Sequence, residues 1–192
     1  MRLHLVRHAR PVVRDGVCYG CADLLADETH QQQVLAQLAS ALPKRIAVVS
    51  SPLRRCRSLA KGLAQALDAG EPAFDARLAE MDFGAWELQP WNAIPRAEVD
   101  AWAADLARYR PGGGESLLDV ATRVRAFHQD VCSRTTDAVV IVAHAGTIRL
   151  LLAATRCASP EEMVTAAAAT PNSIAYGELT TIDCQTDNDK SL

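Results

Sequence analysis

The sequence is poor in aromatic residues and contains no long hydrophobic run. Phe, Trp and Tyr make up 5% of its 192 residues, whereas hydrophobic residues in total make up 49%. Aliphatic side chains and alanine must therefore fill most of a core that is large enough for one globular domain. No apolar stretch approaches the ~20 residues that cross a bilayer, so we expect no membrane span. We expect a single domain over residues 1–184 and a frayed polar tail over 185–192.

The sequence also lacks a surplus of positive charge. Its 20 Lys and Arg are outnumbered by 23 Asp and Glu, which gives a net charge of -3. Nucleic-acid binding needs many cations to neutralise backbone phosphates, so we expect no nucleic-acid partner. A small phosphate ester stays open as a ligand, because two or three arginines brought together are enough to bind it. The sequence carries no signal for an oligomeric state.

A targeting segment and a cysteine framework are also missing. The apolar stretch within residues 1–7 is shorter than the ~7–15 residues of a signal-peptide core, so we expect a cytoplasmic protein. The six cysteines are then expected to be free thiols. Cys18 and Cys21 form a C-x-x-C pair, but no second pair completes a zinc site and the pair does not open a helix. A redox or metal role is therefore disfavoured.

Short apolar runs alternate with longer stretches that have helical spacing. Strands are predicted over residues 3–6, 46–49, 138–143 and 174–182, and helices over 28–42, 53–67, 117–132 and 145–154, with 90–106 helical in parts and interrupted by Pro95. Pro52 is expected in the first turn of its helix, and Ser116 is expected to cap the third helix. This alternation predicts an α/β fold, a three-layer sandwich whose mostly parallel central sheet has helices on both faces.

Polar side chains follow the predicted strands at the points where the strands end. The first strand leads into Arg7 and His8, the second is followed closely by Arg55, and the strand over 138–143 leads into His144. In an open parallel sheet, ligands bind outside the carboxyl ends of the strands. Two histidines and several arginines therefore converge on one rim. This composition is typical of a site that binds a phosphate dianion and attacks it.

Five sequence segments form a recognisable set between about residues 3 and 150. They are L-V-R-H-A-R-P at 5–11, S-P-L-R-R-C at 51–56, R-L-A-E-M-D-F-G-A-W-E at 77–87, G-G-E-S at 113–116 and V-A-H-A-G-T-I-R at 142–149. In this order they resemble the signature motifs of the histidine phosphatase superfamily, which includes the cofactor-dependent phosphoglycerate mutases. Each motif alone is weak, whereas the complete ordered set is specific.

The resemblance implies a phosphatase that works through a phosphohistidine. His8 would be the nucleophile, and water would hydrolyse the intermediate. Arg7 and Arg55 would bind the non-bridging oxygens, because a guanidinium is planar and stays charged. His144 would donate to the same oxygens, and Glu80 would protonate the leaving alkoxide. The resemblance implies no metal and no cofactor, because the arginines supply the positive charge.

The first and third motifs depart from the family pattern. Ala9 stands where the family has glycine, and Pro11 stands where it has threonine, so a hydroxyl and a backbone N–H common at the phosphate are missing. Arg10 and Arg14 are both candidates to bind the phosphate instead, and the sequence does not choose between them. Leu88 replaces a glycine after W-E, so the local turn is in question.

Within the superfamily, the short chain resembles the α-ribazole phosphatase branch. Its 192 residues leave little room for the extra segment that the mutases carry over the site. The substrate would then be a small phosphorylated metabolite such as α-ribazole 5′-phosphate. Tyr19 and Asp23 are candidate wall and ribose contacts, with a simple Tyr-Gly turn as the alternative. A phosphoglycerate mutase-type phosphotransferase and a non-catalytic binding module remain open. The complete set of catalytic residues disfavours the binding module.

Three tryptophans and one glycine run each have two interpretations. Trp86, Trp91 and Trp102 fit a core or a substrate wall equally well. The glycine run 112–114 is predicted to be a loop, because no strand–turn–helix frame of a phosphate-binding motif surrounds it.

Overall fold

The computed structural model describes residues 1–134, 136–169 and 173–184, which form five strands and six helices. In chain order these are β1 (Arg2–Arg7), α1 (Glu28–Ala41), β2 (Ala47–Ser50), α2 (Arg54–Ala66), β3 (Ala73–Phe74), α3 (Arg96–Ala104), α4 (Leu117–Cys132), β4 (Ala138–Ala143), α5 (Ala145–Ala154), α6 (Pro160–Ala168) and β5 (Leu179–Asp183). The predicted tail 185–192 lies outside the described residues.

The strands form one sheet in the order β3-β2-β4-β1-β5. All neighbouring pairs are parallel except β1 and β5, which are antiparallel. The predicted mostly parallel sheet is therefore confirmed. Because β2, β4 and β1 are adjacent, their carboxyl ends meet at one edge. Arg7 lies opposite Ala143 there, and Ser50 lies opposite Val142.

Alternate side chains of the central strands face two separate cores. Leu5 and Ile141 belong to the core that includes side chains of α4, α5 and α6. Val6 and Val142 belong to the core formed with α1 and α2. Helices therefore cover both faces of the sheet, which confirms the three-layer prediction and explains the continuous apolar run of β4. No helix in the described ranges combines the length and hydrophobicity needed to cross a bilayer.

Most element boundaries follow local capping signals. The Asp27 side chain accepts the N–H of His30 at the start of α1, and Ser116 forms the predicted cap of α4 as part of a capping box. The prediction for Pro52 is wrong, because α2 begins after the N-cap Leu53. The sequence analysis also missed α6, although Ser159 caps it and a proline follows at its first position. The last strand is shorter than predicted, because β5 begins only at residue 179.

Two of the six cysteines are not free thiols, so that prediction is wrong for them. Cys132 at the end of α4 and Cys184 just after β5 form a disulfide, and their Cα atoms are 6.2 Å apart. The other four cysteines are free, including both members of the C-x-x-C pair. Residues separated by 52 positions give no spacing signal. Only the packing of α4 beside β5 brings these two within bonding distance.

The glycine run predicted to be a loop forms a 3-10 turn, Pro111–Gly113, with a close backbone approach. A Cβ atom on Gly84 would lie 2.3 Å from the carbonyl oxygen of Gly112, so no side chain fits there. The nearby turn at Leu88 is retained without the family's glycine. Leu88 adopts φ of 64°, a left-handed conformation that costs a non-glycine residue free energy.

Candidate active site

His8 follows directly after β1 and is 2% exposed. Its backbone N–H donates to the carbonyl of Ala143 (3.0 Å), which extends the contact between β1 and β4 beyond the sheet. Its ring Nδ1 lies 2.6 Å from the carbonyl oxygen of Ala9. A carbonyl can only accept, so Nδ1 carries the proton and Nε2 presents its lone pair. Nε2 is therefore the candidate nucleophilic atom.

The surroundings of His8 keep its imidazole neutral. The pKa of His8 is lowered from 6.5 to about 3, and burial is the largest cause. The positive charges of Arg55 and Arg7 also lower it, and the bond to the Ala9 carbonyl opposes the shift. A neutral imidazole is the form that can attack phosphorus.

We expect His8 of the free enzyme to show no protonation near pH 6–7. A lowered pKa means that the neutral form persists as the pH falls from the ordinary 6.5 toward about 3. The ring ¹⁵N shifts should therefore stay those of the Nδ1–H tautomer down to about pH 4.5, in a long-range ¹H–¹⁵N NMR titration. The His8→Gln variant assigns the signals. A titration midpoint between pH 6 and 7 would contradict this assignment.

Arg55 lies in the first turn of α2, and its side chain is fully buried. Its Nε donates to Nε2 of His8 (3.3 Å). Its Nη1 donates to the carbonyl of Ala22 (2.7 Å), and its Nη2 donates to the carbonyl of Gly20 (2.5 Å). The loop over 18–23 therefore orients the guanidinium so that its Nε edge faces the candidate nucleophile.

Arg7, the residue before His8, lines the same cavity. Its guanidinium lies 3.8 Å from the ring centre of Tyr176, and its Nη1 donates to the carbonyl of Ile174 (2.5 Å). Its Nε is buried and has no hydrogen-bond partner among the described residues. A buried donor without a partner is costly, so this atom suits a phosphate oxygen. Sequence reasoning missed Tyr176, whose hydroxyl lies 2.8 Å from that of Tyr19.

His144 is the N-cap residue of α5 and is 1% exposed. Its ring centre lies 5.0 Å from that of His8. Burial, and then the charge of neighbouring groups, hold the pKa of His144 well below its usual range. Its Nε2 lies 2.8 Å from Oγ of Ser51 and 3.5 Å from Sγ of Cys56. The structure therefore places a neutral His144 beside His8, in contact with Ser51 and Cys56, the first and last residues of the S-P-L-R-R-C motif.

Glu80 lies in the loop that follows the 3-10 turn Ala76–Leu78. Its Oε2 accepts the N–H of Gly146 (3.0 Å) at the start of α5, and its Oε1 accepts the N–H of Met81 (3.1 Å). A Cβ atom on Gly146 would lie 2.6 Å from Oε1, so this contact requires glycine. Arg123 holds the same loop by donating to the carbonyl of Glu80 (3.3 Å), a contact that the sequence did not predict.

A cavity of about 490 Å³ is lined by four of the five predicted catalytic and phosphate-binding residues, and His144 is not among its lining residues. Its polar lining includes Arg7, His8, Arg55, Glu80 and Arg149. Its aromatic and aliphatic lining includes Tyr19, Phe83, Trp91, Trp102 and Leu106. Trp91 and Trp102 stack with their planes 8° apart, whereas Trp86 is 3% exposed and belongs to the core. Two of the three tryptophans thus line the cavity and one packs inside the protein.

Only Tyr19 of the four candidate pocket residues lines this cavity. Arg10 and Arg14 are not among its lining residues, so the structure does not bring either of them to the cavity. The Asp23 carboxylate accepts the backbone N–H of Arg54 (2.6 Å). It therefore stabilises the start of α2 and does not reach the cavity as a ribose contact would.

Two clusters in the described ranges hold three metal-ligand atoms close together, and neither includes His8. They are His128 with Cys132 and Cys184, and Cys21 with Asp82 and Glu87. In the first cluster the two sulfurs are joined in the disulfide. In the second, burial and then the hydrogen bond to Asp82 raise the pKa of the Cys21 thiol to about 12.

A neutral, buried imidazole whose unprotonated Nε2 lies 3.3 Å from an arginine Nε is suited to an enzyme that attacks phosphate esters. The sequence profile of the histidine phosphatase superfamily (branch 1) matches residues 3–186. The chain belongs to this superfamily and is a phosphatase. It is 35% identical over 168 residues to a glucosyl-3-phosphoglycerate phosphatase of Mycolicibacterium vanbaalenii, covering 80% of this chain and 73% of that protein.

Solved structures of the family agree with this assignment. The α-ribazole phosphatase from Shigella flexneri superimposes with a TM-score of 0.79 at 25% identity, covering 95% of this chain and 90% of that one. A mycobacterial glucosyl-3-phosphoglycerate phosphatase gives a TM-score of 0.76 at 27% identity, covering 94% and 88%. These relatives bear the names of different phosphate esters, so they share the family without pointing to one substrate.

Proposed function

We propose that this phosphatase is a phosphomonoesterase that transfers the phosphoryl group of a small metabolite to Nε2 of His8 and then to water. The proposal is supported by the hydrogen bonds of the His8 ring, which leave Nε2 unprotonated and beside Arg55. Nδ1 is committed to the Ala9 carbonyl (2.6 Å), and the Nε of Arg55 lies 3.3 Å from Nε2. A phosphoryl group arriving at Nε2 meets a guanidinium donor within reach of its oxygens.

The reaction proceeds in two displacements. In the first, Nε2 of His8 forms a bond to phosphorus while the P–O bond to the substrate alcohol breaks. Arg7 and Arg55 bind the non-bridging oxygens, His144 donates to them, and Glu80 gives its proton to the leaving alkoxide. In the second, water attacks the phosphohistidine while Glu80 accepts a proton from that water. Inorganic phosphate leaves and neutral His8 is restored.

The cavity wall supports a substrate whose alcohol carries an aromatic ring. Phe83, Trp91 and Trp102 line the same cavity as the candidate nucleophile, and Trp91 packs against the other two rings. Rings of this kind stack on a heteroaromatic base. This favours α-ribazole 5′-phosphate, which is consistent with the likeness to the Shigella flexneri enzyme.

A second candidate is glucosyl-3-phosphoglycerate, which the 35% identity to the Mycolicibacterium vanbaalenii enzyme favours. Arg149 in the cavity lining is a cation suited to a substrate carboxylate. A phosphoglycerate mutase-type phosphotransferase is the remaining alternative. It requires a phosphorylated donor that restores the phosphohistidine faster than water removes it.

Comparison of kcat/KM for α-ribazole 5′-phosphate, glucosyl-3-phosphoglycerate and 3-phosphoglycerate tests the substrate. We expect the highest value for α-ribazole 5′-phosphate. Stacking is worth about 1–3 kcal/mol per base, so Trp102→Ala should lower that value by roughly 5- to 150-fold. The same variant should change kcat/KM for glycerol 3-phosphate, which has no ring, by less than about threefold. A higher value for glucosyl-3-phosphoglycerate would select the second candidate. Phosphate transfer between phosphoglycerates would select the mutase.

A further inference from the structure

We propose that Glu87 is a positioning residue that orients Arg55 through the backbone of the loop over 18–23. Its carboxylate accepts the backbone N–H groups of Gly20 (3.1 Å to each oxygen), Cys21 (3.0 Å) and Ala22 (3.1 Å). It also accepts the N–H of Phe83 (3.0 Å). Hydrogen bonds to an ionised acceptor are stronger than those between neutral groups. Three successive backbone N–H groups directed at one anion form an anion-binding concavity known as a nest.

The opposite side of the same loop holds Arg55. The carbonyls of Gly20 and Ala22 accept Nη2 and Nη1 of Arg55 at 2.5 Å and 2.7 Å. The peptide unit between Gly20 and Cys21 therefore donates to Glu87 and accepts from Arg55. Its dipole lies between an anion and a cation, and each hydrogen bond strengthens the other.

The loop is also held by backbone contacts that do not involve the Glu87 carboxylate. A Cβ atom on Gly20 would lie 1.9 Å from the carbonyl oxygen of Met81, so the loop backbone is in close contact with the segment that leads to Glu87. The N–H of Cys18 donates to the carbonyl of Gln89 (2.8 Å), and the N–H of Leu88 donates to the carbonyl of Cys18 (2.8 Å). These backbone bonds do not need the Glu87 side chain, so the loop should stay attached without it.

These contacts determine the direction of the third donor of Arg55, its Nε–H. Two sides of the guanidinium are held by loop carbonyls, and this directs its Nε at Nε2 of His8 (3.3 Å). Without the Glu87 carboxylate, the carbonyls of Gly20 and Ala22 are no longer held in one direction. The Arg55 guanidinium is then no longer oriented toward Nε2 of His8. A misplacement of about 1 Å can cost ~100-fold in rate. The inference rests on the role proposed for Arg55 in binding the phosphoryl oxygens.

Glu87→Ala should lower kcat/KM for p-nitrophenyl phosphate by about 10- to 100-fold. Glu87→Gln keeps one acceptor oxygen and should lie between this variant and the wild type. Glu98→Gln is the matched control, because Glu98 is also partly buried but, within the described ranges, its carboxylate accepts only the indole N–H of Trp86 (2.8 Å). This control should stay within about twofold of the wild type.

A double-mutant cycle with Arg55→Lys separates positioning from general stability. Lysine keeps the charge but cannot bridge both carbonyls, so Glu87→Ala should cost less than about threefold in that background. The NMR signal of Arg55 Nε–H, assigned by its loss in Arg55→Lys, should shift in Glu87→Ala and stay in Glu98→Gln. An equal cost in both backgrounds, or the failure of both Glu87 variants to fold, would overturn the inference. Wild-type activity in Arg55→Lys would instead overturn the proposed role of Arg55.

Discussion

His8→Ala is expected to abolish phosphate release while the protein stays folded. His8 is the only histidine among the described residues that line the cavity. Loss of a nucleophile that acts with its partners costs roughly 10⁵- to 10⁶-fold in kcat. The variant leaves the backbone bond from residue 8 to Ala143 in place. The measurement is phosphate release from purified protein, with circular dichroism to show that the fold is retained.

A matched variant on β1, the strand that precedes His8, controls for the loss of a histidine. The ring of His4 contacts the Thr181 hydroxyl (3.0 Å) and lies away from the cavity. His4→Ala should therefore keep activity within about twofold of the wild type. Acid-labile, base-stable phosphoenzyme should accumulate in rapid-quench experiments on wild type and be absent from His8→Ala. Wild-type turnover in purified His8→Ala would end the phosphohistidine mechanism.

Glu80→Gln is expected to damage the hydrolysis of alkyl phosphates far more than that of p-nitrophenyl phosphate. An alkoxide is a poor leaving group unless it is protonated, whereas p-nitrophenolate leaves without help. A general acid contributes ~10²- to 10⁴-fold, so the loss in kcat/KM should differ between the two substrates by that order. Glutamine keeps an oxygen that can accept the N–H of Gly146 (3.0 Å), so the loop should stay in place.

The comparison with His8→Ala makes this result specific to proton donation. The nucleophile variant should disable both substrates alike, because each must form the phosphohistidine. An equal loss on both substrates in Glu80→Gln would show that Glu80 acts by position alone. The proton donor would then have to be reassigned, and the role of His8 would be unaffected.

The sequence by itself determined the class of fold and the centre of the site. Both faces of β4 carry apolar side chains, so both must be shielded from water in any fold. The local sequence pattern therefore predicts a buried strand. His8 and His144 directly follow β1 and β4. Their positions are therefore set by chain connectivity once the strands are adjacent and parallel, and the carboxyl ends of such strands share one edge.

Only the tertiary structure decided which residues that are distant in the sequence come into contact. Asp23 binds the start of α2, and Tyr176 lies against Arg7. Glu87 binds the backbone of a loop that lies far from it in the sequence. Cys132 and Cys184 meet across the packing of α4 and β5. Such contacts depend on the directions of backbone N–H and C=O groups and on how loops fold back. Neither property leaves a periodic pattern of side chains that a sequence can display.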